Sequence, residues 1–220
     1  MLNRGFFLLK EIIMYEIVIR NGYIYDGLGS NPYVADIAIS NGIIVAIGRI
    51  EEEALSVIDA SGFSVSPGFI DLHTHSDLSF LIDPLADSKL RQGCTFELIG
   101  NCGRSDGGPL FGEGFDLTNE RLETLNFTPK FSLSGNYGDY LNILEENGTL
   151  INIAGQIGHG TLRTSVIGSG DINPTLEELD NMISLLDECL DQGALGFSTG
   201  LYYAPGNYSR TEEIIKLCNV

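Results

Sequence analysis

His73-Thr74-His75 ends the apolar segment FIDLHTH. On a strand, residues i and i+2 face the same side, so the two imidazoles would project together. Neutral imidazole is a good ligand for zinc and similar divalent ions. These are two of only three histidines in the chain, which favours a metal site over two exposed histidines on a polar loop. Cys102, in IGNCG, follows the next strand-like segment. A thiolate there would be a third ligand or a bridge between two ions; residue type alone equally allows an ordinary buried thiol. Cys94, at a strand start, and Cys189 and Cys218, on helical segments, fit that plainer role. Asp71 and Asp77 bracket the histidines and could orient an imidazole or merely cap the next segment. Two later segments hold candidate substrate-binding groups. In GHGTLR, Arg163 could grip a carboxylate with its bidentate fork, beside His159; a surface arginine and a turn histidine are the plain alternatives. In STGLYYAPG, Ser198 and Tyr202 offer hydroxyls, or the segment is a simple βα loop.

The elements that must position these groups follow from pattern. FIDLHTH, TFELIGNC, LINIAGQIG and ALGFSTG read as strands. Residues 84–92, 137–147, 174–192 and 209–218 read as helices, the first three ended by Gly93, Gly148 and Gly193. Residues 103–135 are Gly- and Phe-rich without clear period, which suggests a functional loop or lid. Repeated β–α steps imply a parallel sheet, as in doubly wound sheets and (β/α)8 barrels. No G-x-G-x-x-G follows the first strand, which weakens a dinucleotide-binding reading. A barrel needs about 250 residues, so from residue 67 on only about half is expected, as in a truncated chain or fragment. Ahead of it, residues 15–66 alternate apolar and polar positions and carry two Asn-Gly pairs, Asn21-Gly22 and Asn41-Gly42. They read as a small all-β module built from hairpins.

The expected organisation is thus a 1–14 extension, short or disordered, a 15–66 β module, and a 67–220 α/β domain. The apolar run near Met1 is broken by Lys10 and Glu11 and lacks a small-residue cleavage site, so it does not read as a signal peptide. Apolar residues make up 43%, enough for a sizeable core. Twelve Lys+Arg against 30 Asp+Glu give a formal charge of −18, which disfavours nucleic acid and anionic membranes as partners. Four cysteines with no zinc-ribbon spacing suggest a reducing, cytoplasmic setting.

The stretches IRNGYIYDGLG, PGFIDLHTHSD, RQGCTFELIGNCG, GQIGHGTLR and GALGFSTGLYYAPG, in this order, resemble the amidohydrolase superfamily, and within it the N-acyl-D-amino-acid deacylases (D-aminoacylases). PGFIDLHTH is shared across many amidohydrolases; GNCG, GHGTLR and STGLYYAPG are more particular to the D-aminoacylase branch. The similarity spans about Tyr15 to the last residue. It implies a (β/α)8 TIM barrel with a small β-sandwich, of which residues 15–66 would be the first part. It implies one or two zinc ions and hydrolysis of N-acyl-D-amino acids to a carboxylate and a D-amino acid. His73 and His75 would match the first-strand metal ligands and Cys102 the cysteine ligand. The family's further histidine ligands and catalytic aspartate come from later segments that this chain does not include. The resemblance therefore implies weak or absent activity for these 220 residues alone. A dihydroorotase- or hydantoinase-type amidohydrolase, a non-catalytic fragment that needs its other half, and a doubly wound binding protein remain alternatives.

Overall fold

A computed structural model describes residues 14–129, 133 and 135–220. Most of the expected N-terminal extension, residues 1–13, lies outside them. The chain divides into two compact units at Pro67/Gly68.

The first unit is a five-stranded sheet of β1 (Tyr15–Ile24), β2 (Tyr33–Ser40), β3 (Ile43–Gly48), β4 (Ala54–Asp59) and β5 (Ser64–Val65). Its order is β3-β2-β1-β4, with β5 also on β1. Strand β2 runs antiparallel to β1 and β3, whereas β4 and β5 are parallel to β1. Only β2–β3 is a tight hairpin. Its two turn residues, Asn41 and Gly42, have φ of 52° and 70°, the left-handed pair of a type I′ turn. The second expected hairpin turn is absent, because β1 runs straight through Asn21-Gly22. There the register passes from Ile19↔Ile37 to Gly22↔Ala35, so β1 carries one extra residue and forms a bulge. Asn21 takes φ 59° and its N–H donates to Asp36 Oδ1 at 2.9 Å. Gly22 leaves room for β5, since a Cβ there would lie 2.6 Å from Val65 Cγ2. An Asn-Gly pair supplies left-handed backbone equally to a turn or a bulge; the tertiary partner decides which.

Val18, Ala38 and Ile50 form this unit's core. Beside it, Asp36 accepts from the backbone N–H of Asn21 and Ile50 and from Arg20 Nη1. Burial pushes the Asp36 carboxyl up, but the two N–H donors and the Arg20 guanidinium outweigh it and hold its pKa below the usual value.

The second unit holds four parallel strands, β6 (Phe69–Asp71), β7 (Cys94–Ile99), β8 (Asn152–Gly158) and β9 (Gly196–Ser198), in sequence order. A doubly wound sheet reverses its order at a switch point; these strands do not, as along the arc of a barrel. The helices are α1 (Ser79–Ile82), α2 (Asp87–Leu90), α3 (Gly112–Thr124), α4 (Tyr137–Asn147), α5 (His159–Val166), α6 (Leu176–Asp191) and α7 (Thr211–Leu217). Helix α4 has the expected bounds, and α6 starts at a Thr175/Glu178 capping box.

Four local expectations change. Strand β6 is three residues long, and the histidines follow it, although Thr74 N–H still donates to Leu98 O at 3.2 Å. The helix expected over 84–92 shrinks to α2. Ala86, just ahead of α2, takes left-handed backbone at φ 47°, ψ 39°, so the helix does not run back to Pro84. Residues 103–135 contain α3, whose buried face is Gly114, Thr118 and Leu122, with one large apolar residue to announce the period; residues 130–132 and 134 lie outside the described set. Finally, His159 directly follows β8, and the GHGTLR segment forms helix α5 rather than a loop.

A continuous core that includes Ile99, Ile157, Leu162, Met182, Leu186 and Tyr140 joins sheet and helices. Buried charged side chains interrupt it. Glu97, on β7, is fully buried, and Lys89 Nζ lies 2.9 Å from its Oε1 and 3.0 Å from Asp71 Oδ2. Pairing with Glu97 raises the Lys89 pKa.

Both charged clusters can be tested by substitution. Lys89→Met strands the Glu97 carboxylate and should lower unfolding stability by about 3 kcal/mol. Glu97→Gln, which removes the buried charge, should cost clearly less; equal costs in urea unfolding would refute the stranded-charge explanation. Asp36→Asn should destabilise the chain by about 1–2 kcal/mol at neutral pH. Because the folded pKa is depressed, that contribution is complete above the usual carboxylate range and lost as pH falls through the folded value. Melting curves of the two proteins should converge in acid; a gap independent of pH would count against the ion pair.

Candidate metal centre

The parallel strands end together, and their loops carry the candidate ligands. One donor atom from each of His73, His75 and Cys102 lies within 4.8 Å of the others. His73 Nε2 is 3.1 Å from Cys102 Sγ, and the two imidazole rings meet edge to face at 5.7 Å between centroids. Ligands around a tetrahedral zinc stand about 3.3–3.6 Å apart, given Zn–N and Zn–S lengths of about 2.0–2.3 Å. Small side-chain rotations bring the trio to that spacing, and two imidazoles with a thiol are a donor set that zinc accepts. Burial, His73 and Arg104 lower the His75 pKa, against a raising effect of Asp106. The ring therefore stays neutral at pH 7, with a lone pair free for a ligand.

The backbone that holds Cys102 is unusual. Cys102 has φ 55°, a left-handed conformation that costs a non-glycine residue about 1–2 kcal/mol. Its neighbours hold it there. A Cβ on Gly200 would lie 1.8 Å from Cys102 O, and one on Gly100 would lie 1.9 Å from Gln156 O. A Cβ on Gly158 would meet Arg104 N at 2.5 Å. Each loop thus touches the next, backbone to backbone. Ser198 locks the contact: its Oγ accepts from Gly103 N–H at 3.1 Å and donates to Gly100 O.

Asp77 ties the histidine loop to the same structure. It is 3% exposed and accepts from Gly100 N–H and Asp106 N–H, while its backbone carbonyl accepts from Tyr140 Oη. Burial, then the charge of Asp106, push its carboxyl up to about 7. Asp71 accepts from the His73 backbone N–H and from Lys89.

The remaining candidates fall elsewhere. Arg163 is fully buried; its Nη1 donates to both carboxylate oxygens of Glu213, at 2.8 and 2.6 Å, and its Nη2 donates to Ile172 O. His159 is also fully buried, with Nε2 2.6 Å from Glu213 Oε1. Ser198 binds the loop backbone. Tyr202 is 88% exposed and stacks edge-on against Tyr203. A cavity of about 460 Å³ opens beside the metal ligands, lined by His75, Cys102, Arg104, Asp106, Arg121 and Tyr203 among others. Sequence reasoning missed Arg104, Asp106 and Arg121. Arg104 stands two residues after Cys102, a placement that could have drawn attention; Arg121 was hidden because α3 was not foreseen.

Comparison with known proteins shows what the chain is similar to. The model of the Amidohydrolase family matches residues 56–212. N-acyl-D-glutamate deacylase of Alcaligenes xylosoxydans xylosoxydans is 37% identical over 93% of this chain and 41% of that protein. The crystal structure of N-acyl-D-glutamate deacylase from Bordetella bronchiseptica, complexed with zinc and a phosphonate inhibitor, superposes with a TM-score of 0.82 at 34% identity. It covers 93% of this chain and 42% of that one. A D-aminoacylase described with a binuclear metal center gives a TM-score of 0.82 at 33% identity, with the same coverage. The chain therefore spans about two fifths of the length of these relatives. Its parallel sheet is the first arc of an α/β (β/α)8 TIM barrel. The family match covers more than two thirds of the sequence, and the chain belongs to the amidohydrolase family.

Proposed function

We propose that His73, His75 and Cys102 are ligands of a zinc centre that hydrolyses N-acyl-D-amino acids to a carboxylate and a D-amino acid. The observation that carries this reading is the convergence of three donor atoms within 4.8 Å at the C-terminal ends of the first barrel strands. Active sites of such barrels lie on that face. The names of the relatives, N-acyl-D-glutamate deacylase and D-aminoacylase, supply the substrate class.

Zinc held there, as one ion or two, would supply hydroxide at neutral pH and polarise the scissile carbonyl. The residues of this chain do the rest of what falls to them. The two imidazoles would offer ring-nitrogen lone pairs and Cys102 a thiolate, so that metal binding would be coupled to loss of the thiol proton. Ser198, Gly200 and Gly103 fix the loop, so the Cys102 side chain is positioned by the backbone itself. Asp77, at the base of the site, holds the histidine and cysteine loops in one register. The cavity beside His75 and Cys102 is of a size that suits a small N-acyl-amino acid.

The test is metal content. The purified chain should take up near-stoichiometric zinc, and a His73→Ala/His75→Ala/Cys102→Ala variant should take up almost none. With cobalt in place of zinc, Cys102→Ser should abolish the thiolate charge-transfer band. Equal zinc in wild type and triple variant would sink the assignment. The substrate half is tested separately, by release of free amine from N-acetyl-D- but not N-acetyl-L-amino acids in zinc-loaded protein. Gly200→Ala offers an independent check on the loop. Its methyl cannot fit against Cys102 O, so it should cost about 1–3 kcal/mol of stability and weaken zinc binding, although Gly200 supplies no ligand.

A further inference from the structure

We infer that Arg104 and Arg121, aligned by Asp106, form a carboxylate-binding subsite in the cavity beside the metal ligands. This deepens the deacylase reading and rests on it for the ligand's identity.

Three observations carry the inference. First, both arginines line the same cavity as His75 and Cys102. They arrive from different elements. Arg104 follows Cys102 in the β7 loop, while Arg121 is on α3, on the helical face of Gly114, Leu117 and Thr118, which line the cavity with it. Second, their charge is only half neutralised. Arg104 binds Asp106 through Nε and Nη2, and Arg121 through Nη1. Two guanidiniums thus face the one carboxylate that lines the cavity, and burial and Asp106 push the carboxyl of neighbouring Asp77 up to about 7, so positive charge stays in excess at this wall. The chain as a whole has a formal charge of −18 and only eight arginines, so the surplus is a local exception. Third, the heads are held but not filled. Asp106 is almost buried, while the Arg104 and Arg121 side chains are 48% and 38% exposed. Each guanidinium has five N–H donors, and Asp106 takes at most two from either. The remaining donors, fixed in orientation by Asp106, suit an incoming carboxylate.

Every N-acyl-amino acid brings an α-carboxylate, and those of acidic amino acids bring a second one. Either would meet the same chemistry, and the experiment separates them. Binding of N-acetyl-D-glutamate and N-acetyl-D-leucine to the zinc-loaded 220-residue chain is measured by calorimetry, beside Arg104→Gln and Arg121→Gln. Each single variant leaves the other arginine to neutralise Asp106, so the fold keeps its buried pair. Arg121 is also remote in sequence from the metal ligands. The expected result is about tenfold weaker binding of N-acetyl-D-glutamate in each variant. Equal weakening of N-acetyl-D-leucine assigns the subsite to the α-carboxylate; unchanged N-acetyl-D-leucine assigns it to the side-chain carboxylate. Unchanged affinity for both ligands in both variants overturns the subsite, as does a wild-type chain that binds neither at millimolar concentration. Zinc content, measured in the same samples, bears on the metal centre alone. Arginine-dependent binding in a protein that takes up no zinc when loaded would count against the metal assignment and leave the subsite standing.

Discussion

The candidate site depends on one constraint: main chain must touch main chain where the strands end. Gly200 against Cys102, Gly100 against Gln156 and Gly158 against Arg104 leave no room for a methyl group. Parallel strands bring their C-terminal loops to one side, but close loops alone do not aim side chains. Here the contact is tight enough that the position of one loop dictates the next. Ser198, on β9, hydrogen-bonds both sides of the Cys102 turn, so a residue nearly one hundred positions away sets where the thiol points. The histidine loop joins through Asp77. The three candidate ligands thus inherit their geometry from backbone packing.

The charged groups divide by what they are asked to do. Glu97 with Lys89, and Glu213 with Arg163 and His159, are internal ties between elements. Burial makes each pair costly to break, because the partner left behind cannot reach water. Burial and the hydrogen bonds and charges of its partners act oppositely on Glu213, and the partners, His159 and Arg163, win, so its pKa is lowered. Arg104 and Arg121 differ, because they stay partly exposed and over-match their carboxylate. The same pairing of cation with carboxylate serves structure in the first case and suits recognition in the second; exposure separates them.

Much of this was legible in the sequence, and the gaps have physical causes. The four parallel strands, helices α4 and α6, and the chemistry open to His73, His75 and Cys102 follow from periodicity, capping residues and residue type. The bulge at Asn21-Gly22 does not, since local preference for φ > 0 is satisfied by a turn or a bulge alike. Helix α3 escaped because its inward face is built from Gly114 and Thr118, which give no hydrophobic period. The fork of Arg163 announces a carboxylate partner. That the carboxylate belongs to Glu213, fifty residues on, is a tertiary fact that no spacing rule contains. The pairing of Arg104 with Arg121 needed α3 and was lost with it.

The left-handed backbone at Cys102 has a consequence for how such a protein tolerates change. Glycine at that position would relieve the conformational cost that the thiol-bearing residue carries. A Cys102→Gly chain is therefore expected to gain heat resistance while it loses a candidate ligand. Any selection scheme that rewards thermal robustness alone would drift toward that replacement, and so erode the chemistry while improving the scaffold.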